Sequence, residues 1–192
     1  MKKIVLLLIV LSVSLTYGQK KKKKVTEAKA PAGALAKTGD ASVVFDKKKD
    51  LFLVVAKDSM LLTKSRSDFN PTNMKIAPVK VKANTFYCVT WNETQKSDTK
   101  LKKEVATVTE SQIWNPMTKT LMIGNTQKAV DVTEIEFLDR LKTASQTVYK
   151  KRSEGYLFSL LPNGDFSLSN KSATTKYAYN EKSARYEPVK KK

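Results

Sequence analysis

Apolar and polar residues alternate along most of the chain after residue 40, which is the pattern of strands with one buried face. In residues 85–94, Phe86 and Cys88 fall on one face, while Tyr87 and Trp91 fall on the other. Strands are predicted at residues 42–45, 51–56, 60–63, 85–94, 101–114, 117–125, 156–161, 166–168, 176–179 and 185–189. Residues 64–78 are predicted to be less regular, because Asn70-Pro71 and Pro78 are residues that interrupt strands.

Turn-forming residues separate several of these segments and predict hairpins. Asn163-Gly164 is the strongest hairpin signal, because both residues tolerate a positive φ. Polar or proline-containing turns are also predicted at residues 46–50, 115–118 and 180–183. The strands should therefore pair mainly with their neighbours in sequence.

One segment late in the chain has the spacing of an amphipathic helix. Thr133 and Glu136 match a capping box, and apolar residues follow at three- and four-residue intervals from Leu138. Lys150, Lys151 and Arg152 suit the C-terminal end of the helix dipole, and Gly155 would end the helix.

The predicted fold is therefore mainly β, at the margin of α+β. We expect an antiparallel curved sheet, sandwich or barrel of about nine strands, with one amphipathic helix late in the chain.

The N-terminus has the layout of a secretory signal peptide. Lys2 and Lys3 precede an apolar run at residues 4–13, and the small residues Thr16 and Gly18 follow. The run is shorter than the ~20 residues that span a bilayer. It resembles a bacterial secretory leader, so we expect export to the periplasm, the cell surface or the medium. No transmembrane segment is expected in the mature chain.

The expected domain organisation has four parts: a signal peptide at residues 1–18, a disordered Lys/Ala-rich tether at 19–40, one β-rich domain at 41–189 and a basic tail at 190–192. The formal net charge is +18, and half of the mature chain's charge lies in the tether and the tail. Their lysine runs are candidate contacts for an anionic glycan or envelope polymer: Lys20, Lys21, Lys22, Lys23, Lys24, Lys190, Lys191 and Lys192. The alternative is that these lysines only keep the protein soluble.

Composition excludes several chemistries. The chain has no His and one Cys, which excludes His-based catalysis, histidine metal sites and an internal disulfide. No glycine-rich loop opens a helix and no acidic loop has calcium-ligand spacing, so no cofactor or metal is expected. Only four of the basic residues are Arg, whose planar fork reads bases, so sequence-specific nucleic-acid binding is not expected.

Three aromatic residues, Tyr87, Trp91 and Trp114, are candidates for a platform on which sugar rings could stack. The alternative, which we favour, is that they pack in the core. Cys88 lies in an apolar strand, where a buried thiol is expected rather than a nucleophile.

Residues that could support hydrolysis are poorly arranged in the sequence. Ser97 and Lys100 have Ser-x-x-Lys spacing and residues 37–39 read Lys-Thr-Gly, and these fragments resemble motifs of serine β-lactamases and penicillin-binding proteins. Their order is reversed relative to that family, so we attribute the match to chance. Glu134, Glu136 and Asp139 fall where a helix N-terminus favours acids without any catalytic role.

The sequence favours an exported, non-enzymatic binding or interaction protein of the bacterial envelope or secretome. Two alternatives remain open: a secreted hydrolase that uses Asp/Glu or Ser/Lys, and a passive structural component of the envelope.

Overall fold

The computed structural model describes residues 33–189, and every regular element in that range is a β-strand. The 13 strands form three antiparallel sheets. Sheet A contains β1 (Ala36–Thr38), β2 (Ala41–Phe45), β3 (Leu51–Val55) and β4 (Asp58–Thr63). Sheet B contains β5 (Thr72–Val81), β6 (Asn84–Asp98), β7 (Lys102–Asn115), β8 (Thr120–Phe137) and β9 (Ser145–Gly155). Sheet C contains β10 (Leu157–Leu160), β11 (Phe166–Ser169), β12 (Thr174–Asn180) and β13 (Arg185–Pro188).

Within each sheet, every strand pairs with the strand that follows it in the chain. Side chains in the turns stabilise these reversals: Asp46 Oδ1 accepts hydrogen bonds from the backbone N–H groups of Lys48 and Asp50, both at 2.8 Å. The hairpin predicted at Asn163-Gly164 is confirmed between β10 and β11, where Gly164 has a φ of 84°. An added Cβ at Gly164 would lie 2.4 Å from a methyl of Val81, so this turn requires glycine.

Sheet B is longer than the other two and divides into two halves. Its inner half contains β5, residues 84–91 of β6, 111–115 of β7 and 120–125 of β8. Its outer half contains residues 92–98 of β6, 102–110 of β7, 126–137 of β8, and β9.

The inner half is the middle layer of three. Because successive side chains of a strand point to opposite faces, Tyr87, Val89 and Trp91 enter one core, which includes Val43 and Leu53 of sheet A. Residues on the other face pack against sheet C: Val79, Val81, Phe86, Cys88 and Ile113 surround Phe166 and Tyr186. The ring of Phe86 in β6 lies 5.2 Å from that of Tyr179 and 6.4 Å from that of Tyr186, between ring centroids, so aromatic packing helps to join sheet B to sheet C.

The outer half of sheet B is not sandwiched between sheets A and C as the inner half is. Every residue of β9 is exposed except Val148, which is partly buried. Ala106, Val130 and Val132 form a small separate apolar cluster on one face. The outer half is therefore a single layer of sheet with long stretches of exposed side chains on both faces.

The predicted mainly β, antiparallel character is confirmed, whereas the late helix and the barrel are wrong. Thr133 lies in β8, residues 138–144 form a turn, and β9 covers most of the rest of the supposed helix. The alternation of the buried residues Val130 and Val132 prevails, because β8 gains a strand partner on each side, β7 and β9.

Strand β5 occupies a segment that was expected to be loose. Pro78 lies within β5 and pairs with Tyr87 of β6. Proline has no backbone N–H to donate, and it is tolerated here because β5 is an edge strand with a pairing strand on one side only. β1 falls inside residues 19–40, the predicted tether, so ordered structure begins before residue 41.

The predicted signal peptide, the tether up to residue 32 and the basic tail at 190–192 lie outside the described residues. Within residues 33–189 there is no helix of the length and apolarity needed to cross a membrane.

Candidate functional site

Of the candidate binding residues predicted from the sequence, only the aromatic ones lie within the described residues. The lysine runs at residues 20–24 and 190–192 lie outside the described residues. Tyr87, Trp91 and Trp114 do come together, but all three are buried in the core between sheets A and B. The rings therefore pack in the core, which is the alternative favoured from the sequence, because sheet A covers the face on which they lie.

The buried polar atoms of these aromatic residues have partners within the fold. The Tyr87 hydroxyl donates to Asp40 Oδ1 at 2.8 Å, and burial together with this carboxylate raises the pKa of Tyr87 to about 12. The Trp114 indole N–H donates to Gln112 Oε1 at 2.8 Å. Nearby, burial raises the pKa of the Cys88 thiol to about 12, which suits an inert core residue rather than a nucleophile.

A buried carboxylate, Glu93, lies where sheet A stops covering sheet B. Its Oε1 accepts a hydrogen bond from the Trp91 indole N–H at 2.9 Å, and its Oε2 pairs with the half-exposed guanidinium of Arg66. An open cleft of about 470 Å³ lies beside this pair. Since both carboxylate oxygens already have donors, the pair is suited to holding the β4–β5 connection onto sheet B.

Glu110 lies on the same face as Glu93, in the neighbouring strand. Thr126 Oγ1 lies 3.0 and 2.9 Å from its two carboxylate oxygens, and burial raises its pKa. An acid with a raised pKa beside an ionised carboxylate is a feature of some hydrolase sites. Here Glu93 is buried and held by two donors, so the two acids do not form a pair that a substrate could reach.

The Ser/Lys alternative also lacks support. Ser97 lies in β6 and Lys100 in the turn after it, and both are exposed. Lys37 and Thr38 lie in β1, a strand of a different sheet.

One face of the outer half is an accessible polar surface, which we call the threonine face. The registers of β6, β7, β8 and β9 place its side chains in four rows across the sheet. These rows are Asn92, Thr109, Gln127 and Gly155; Thr94, Thr107, Ala129 and Ser153; Lys96, Val105, Asp131 and Lys151; and Asp98, Lys103, Thr133 and Tyr149.

Hydroxyl, lysine and aromatic groups are interleaved on this face. Thr94, Thr107 and Ser153 are exposed, and Tyr149 is 78% exposed. Lys103 Nζ lies 3.4 Å from Asp98 Oδ2, and Lys151 Nζ lies 3.4 Å from Asp131 Oδ1, in ion pairs open to solvent. Exposed pairs of this kind are weak, so the lysines can exchange their partners for an incoming anion.

The opposite face of the outer half is occupied by its own ion pairs. Arg152 binds Glu104 at 3.0 Å and Glu154 at 2.8 Å, and Lys150 binds Glu134 and Glu136 at 3.4 and 2.5 Å. Their aliphatic stems share the face that carries the small cluster of Ala106, Val130 and Val132. Both faces thus carry exposed ion pairs, but the pairs of Arg152 and Lys150 place four carboxylates against two cations, which makes the threonine face the better surface for an anion.

Sequence reasoning missed the threonine face because it placed Tyr149 in a helix. The available signal was the alternation Thr107-x-Thr109-x-Ser111, in which every second residue carries a hydroxyl. Such alternation shows that a face is polar, whereas the alignment of four strands into rows requires the registers.

Among residues 33–189, no group of three or more Cys, Asp or Glu side chains is arranged to hold a metal ion. The sequence matches no known protein family and no curated protein, and the fold matches no solved structure.

Proposed function

We propose that this is an exported, non-enzymatic binding protein of the bacterial envelope or secretome. We further propose that its threonine face binds an anionic glycan or a similar envelope polymer. The observation that carries the proposal is the accessibility of this face: the inner half of sheet B is covered on both sides, whereas the outer half is not.

The chemistry of the face suits a sugar polymer with acidic groups. Hydroxyl side chains can donate to and accept from sugar hydroxyls, and an exposed tyrosine offers a ring for stacking. Lys96, Lys103 and Lys151 supply positive charges for carboxylate or sulfate groups, which would replace the weak pairs of Lys103 and Lys151. The extended surface of a four-stranded single layer suits a linear polymer better than a small molecule.

The test is a salt titration of binding to heparin, an acidic glycan, by mature protein of residues 19–192. Replacing Lys96, Lys103 and Lys151 together with Gln should weaken binding and flatten the plot of log K against log salt. Tyr149→Ala should weaken binding without changing that slope, because the ring carries no charge.

The matched control replaces Lys171, Lys176 and Lys182 of sheet C and its turns with Gln, which removes the same charge elsewhere. This control should bind almost as tightly as the unaltered protein. If both triple variants lose the same affinity, binding reflects overall charge alone, and the threonine face is not the site.

A further inference from the structure

The far end of sheet B carries an apolar tip, formed by two neighbouring turns at residues 99–102 and 137–144. The first turn connects β6 to β7, and the second connects β8 to β9. The backbone N–H of Ile135 donates to the carbonyl of Leu101 at 2.8 Å, which fixes the two turns side by side. The tip therefore presents one combined surface.

Large apolar side chains are unusually exposed at this tip. Leu101 is 46% exposed, Phe137 38%, Leu138 62% and Leu141 84%. The β8–β9 turn holds two of these leucines, and no other turn within residues 33–189 carries more than one exposed large apolar side chain. A cluster of this kind marks a surface that contacts something other than water.

Hydrogen bonds hold the leucines in this outward position. Asp139 Oδ1 accepts from the backbone N–H of Thr143 at 2.8 Å, and Asp139 Oδ2 accepts from the backbone N–H of Ala144 at 3.2 Å. The N–H of Leu138 donates to the carbonyl of Ala144 at 3.0 Å, which closes the loop. The tip is thus prearranged, and docking requires little additional ordering.

Positive charge surrounds the apolar residues. The two turns include Lys100, Lys102, Arg140 and Lys142 against the acid Asp139, and Lys102 also pairs with Glu104 of β7 at 2.8 Å. The Nζ of Lys142 lies 5.3 Å from the centroid of the Phe137 ring, so cationic and apolar groups are interleaved. Apolar side chains ringed by basic ones are the combination that binds the interface of an anionic bilayer.

We propose that this tip docks the protein on an anionic lipid surface, with Leu138 and Leu141 inserted among the lipid headgroups and the basic residues against the lipid phosphates. The proposal uses residues outside the four rows of the threonine face, and it does not depend on glycan binding.

A second copy of the chain fits the tip less well. Two tips would bring like charges together, since each carries a net charge of +3. Four side chains also offer much less than the roughly 800 Å² per partner that stable protein interfaces bury.

The test is flotation of the mature protein with two kinds of vesicles, one of phosphatidylcholine alone and one of equal parts phosphatidylcholine and phosphatidylglycerol. The protein should float with the anionic vesicles. The double variant Leu138→Asn/Leu141→Asn should lower the partition coefficient by about tenfold or more, because it removes the inserting groups. Lys100→Gln/Arg140→Gln should reduce the preference for phosphatidylglycerol.

Met117→Asn is the matched control, because Met117 is 87% exposed on the β7–β8 turn. It should leave the partition unchanged. All variants keep the lysine runs at both ends of the chain, so any attraction due to those runs is the same in each. Since the altered side chains are exposed, the variants should keep the fold, which circular dichroism can verify.

Insertion itself can be read from a polarity-sensitive fluorophore on Leu141→Cys, since the native Cys88 is buried. Its emission should shift to the blue with anionic vesicles, whereas the same label on Met117→Cys should not shift. If the leucine variant floats as well as the unaltered protein, the tip is not the docking site. If sedimentation shows a dimer that the leucine variant disrupts, while vesicles do not bind, the occupant is a second copy and the proposal is wrong.

Discussion

Replacement of Gly155 by alanine should destabilise the protein strongly, because this residue is where the chain passes from sheet B to sheet C. Gly155 has a φ of 76°, a left-handed conformation that costs other residues roughly 1–2 kcal/mol. It pairs with Gln127 at the end of the β8–β9 ladder, and the next residue's carbonyl accepts a hydrogen bond from Asn125 Nδ2 at 2.9 Å.

Steric overlap adds to this backbone strain. A Cβ at position 155 would lie 2.3 Å from the backbone carbonyl oxygen of Thr126, and that oxygen cannot rotate away as a side chain could. Relief requires the end of β9 to move, which disturbs the hydrogen bond of Asn125. We expect a total loss of about 3 kcal/mol in the free energy of unfolding.

Gly39→Ala is the matched control. Gly39 also has a positive φ, of 56°, but nothing lies within 4 Å of an added Cβ. Only the conformational cost remains, and we expect a loss of about 1 kcal/mol. Urea denaturation followed by tryptophan fluorescence and circular dichroism measures both variants. Equal losses for the two would refute the steric argument, since the space around the Cβ is the main difference between them.

Three further predictions concern Cys88, the Arg66–Glu93 ion pair and Glu110. Cys88 should resist a thiol reagent in the folded protein and react only after unfolding, because burial raises its pKa to about 12. Reaction of the folded protein at the rate of a free thiol would contradict this. Arg66→Met should lower the free energy of unfolding by about 2–4 kcal/mol, because the Glu93 carboxylate loses its ion-pair partner. The double variant Arg66→Met/Glu93→Gln should recover much of that loss, as measured by urea denaturation. Burial raises the pKa of Glu110, so the folded protein favours the protonated carboxyl. The protonated group therefore contributes to stability below the unfolded-state pKa of about 4.3. This contribution is lost as the pH rises through the pKa of Glu110 in the folded protein. Glu110→Gln should therefore stabilise the protein at neutral pH, and this gain should shrink in acid; a constant gain across pH would contradict it.

Most strands of the fold could be predicted because alternation and turn chemistry are local signals. The Asn163-Gly164 hairpin depends only on the conformational tolerance of two residues, and the sequence shows both. The apolar residues after Thr133 fit the spacing of a helix as well as that of a strand. The strand prevailed there because β8 is flanked by two partners, and flanking strands are not visible in a local pattern.

The candidate site was less predictable for the same reason. Tyr87, Trp91 and Trp114 were identified as a group, yet whether they are covered depends on where sheet A packs. Tyr149 and Lys103 lie in one row only because β7, β8 and β9 align in a particular register. Charge counting locates lysines along the chain, but it cannot show which of them share a surface.

The pairing of successive strands within each sheet has a consequence for how the chain acquires its structure. Each hairpin can close as soon as its second strand has emerged from the ribosome, because its pairing needs no distant segment. Sheet A contains the first described strands, and its apolar face is covered once β5, β6 and β7 have formed. Sheet C is added last. Assembly can thus proceed from the N-terminal to the C-terminal end, so that a stalled or truncated chain retains sheets that are already paired.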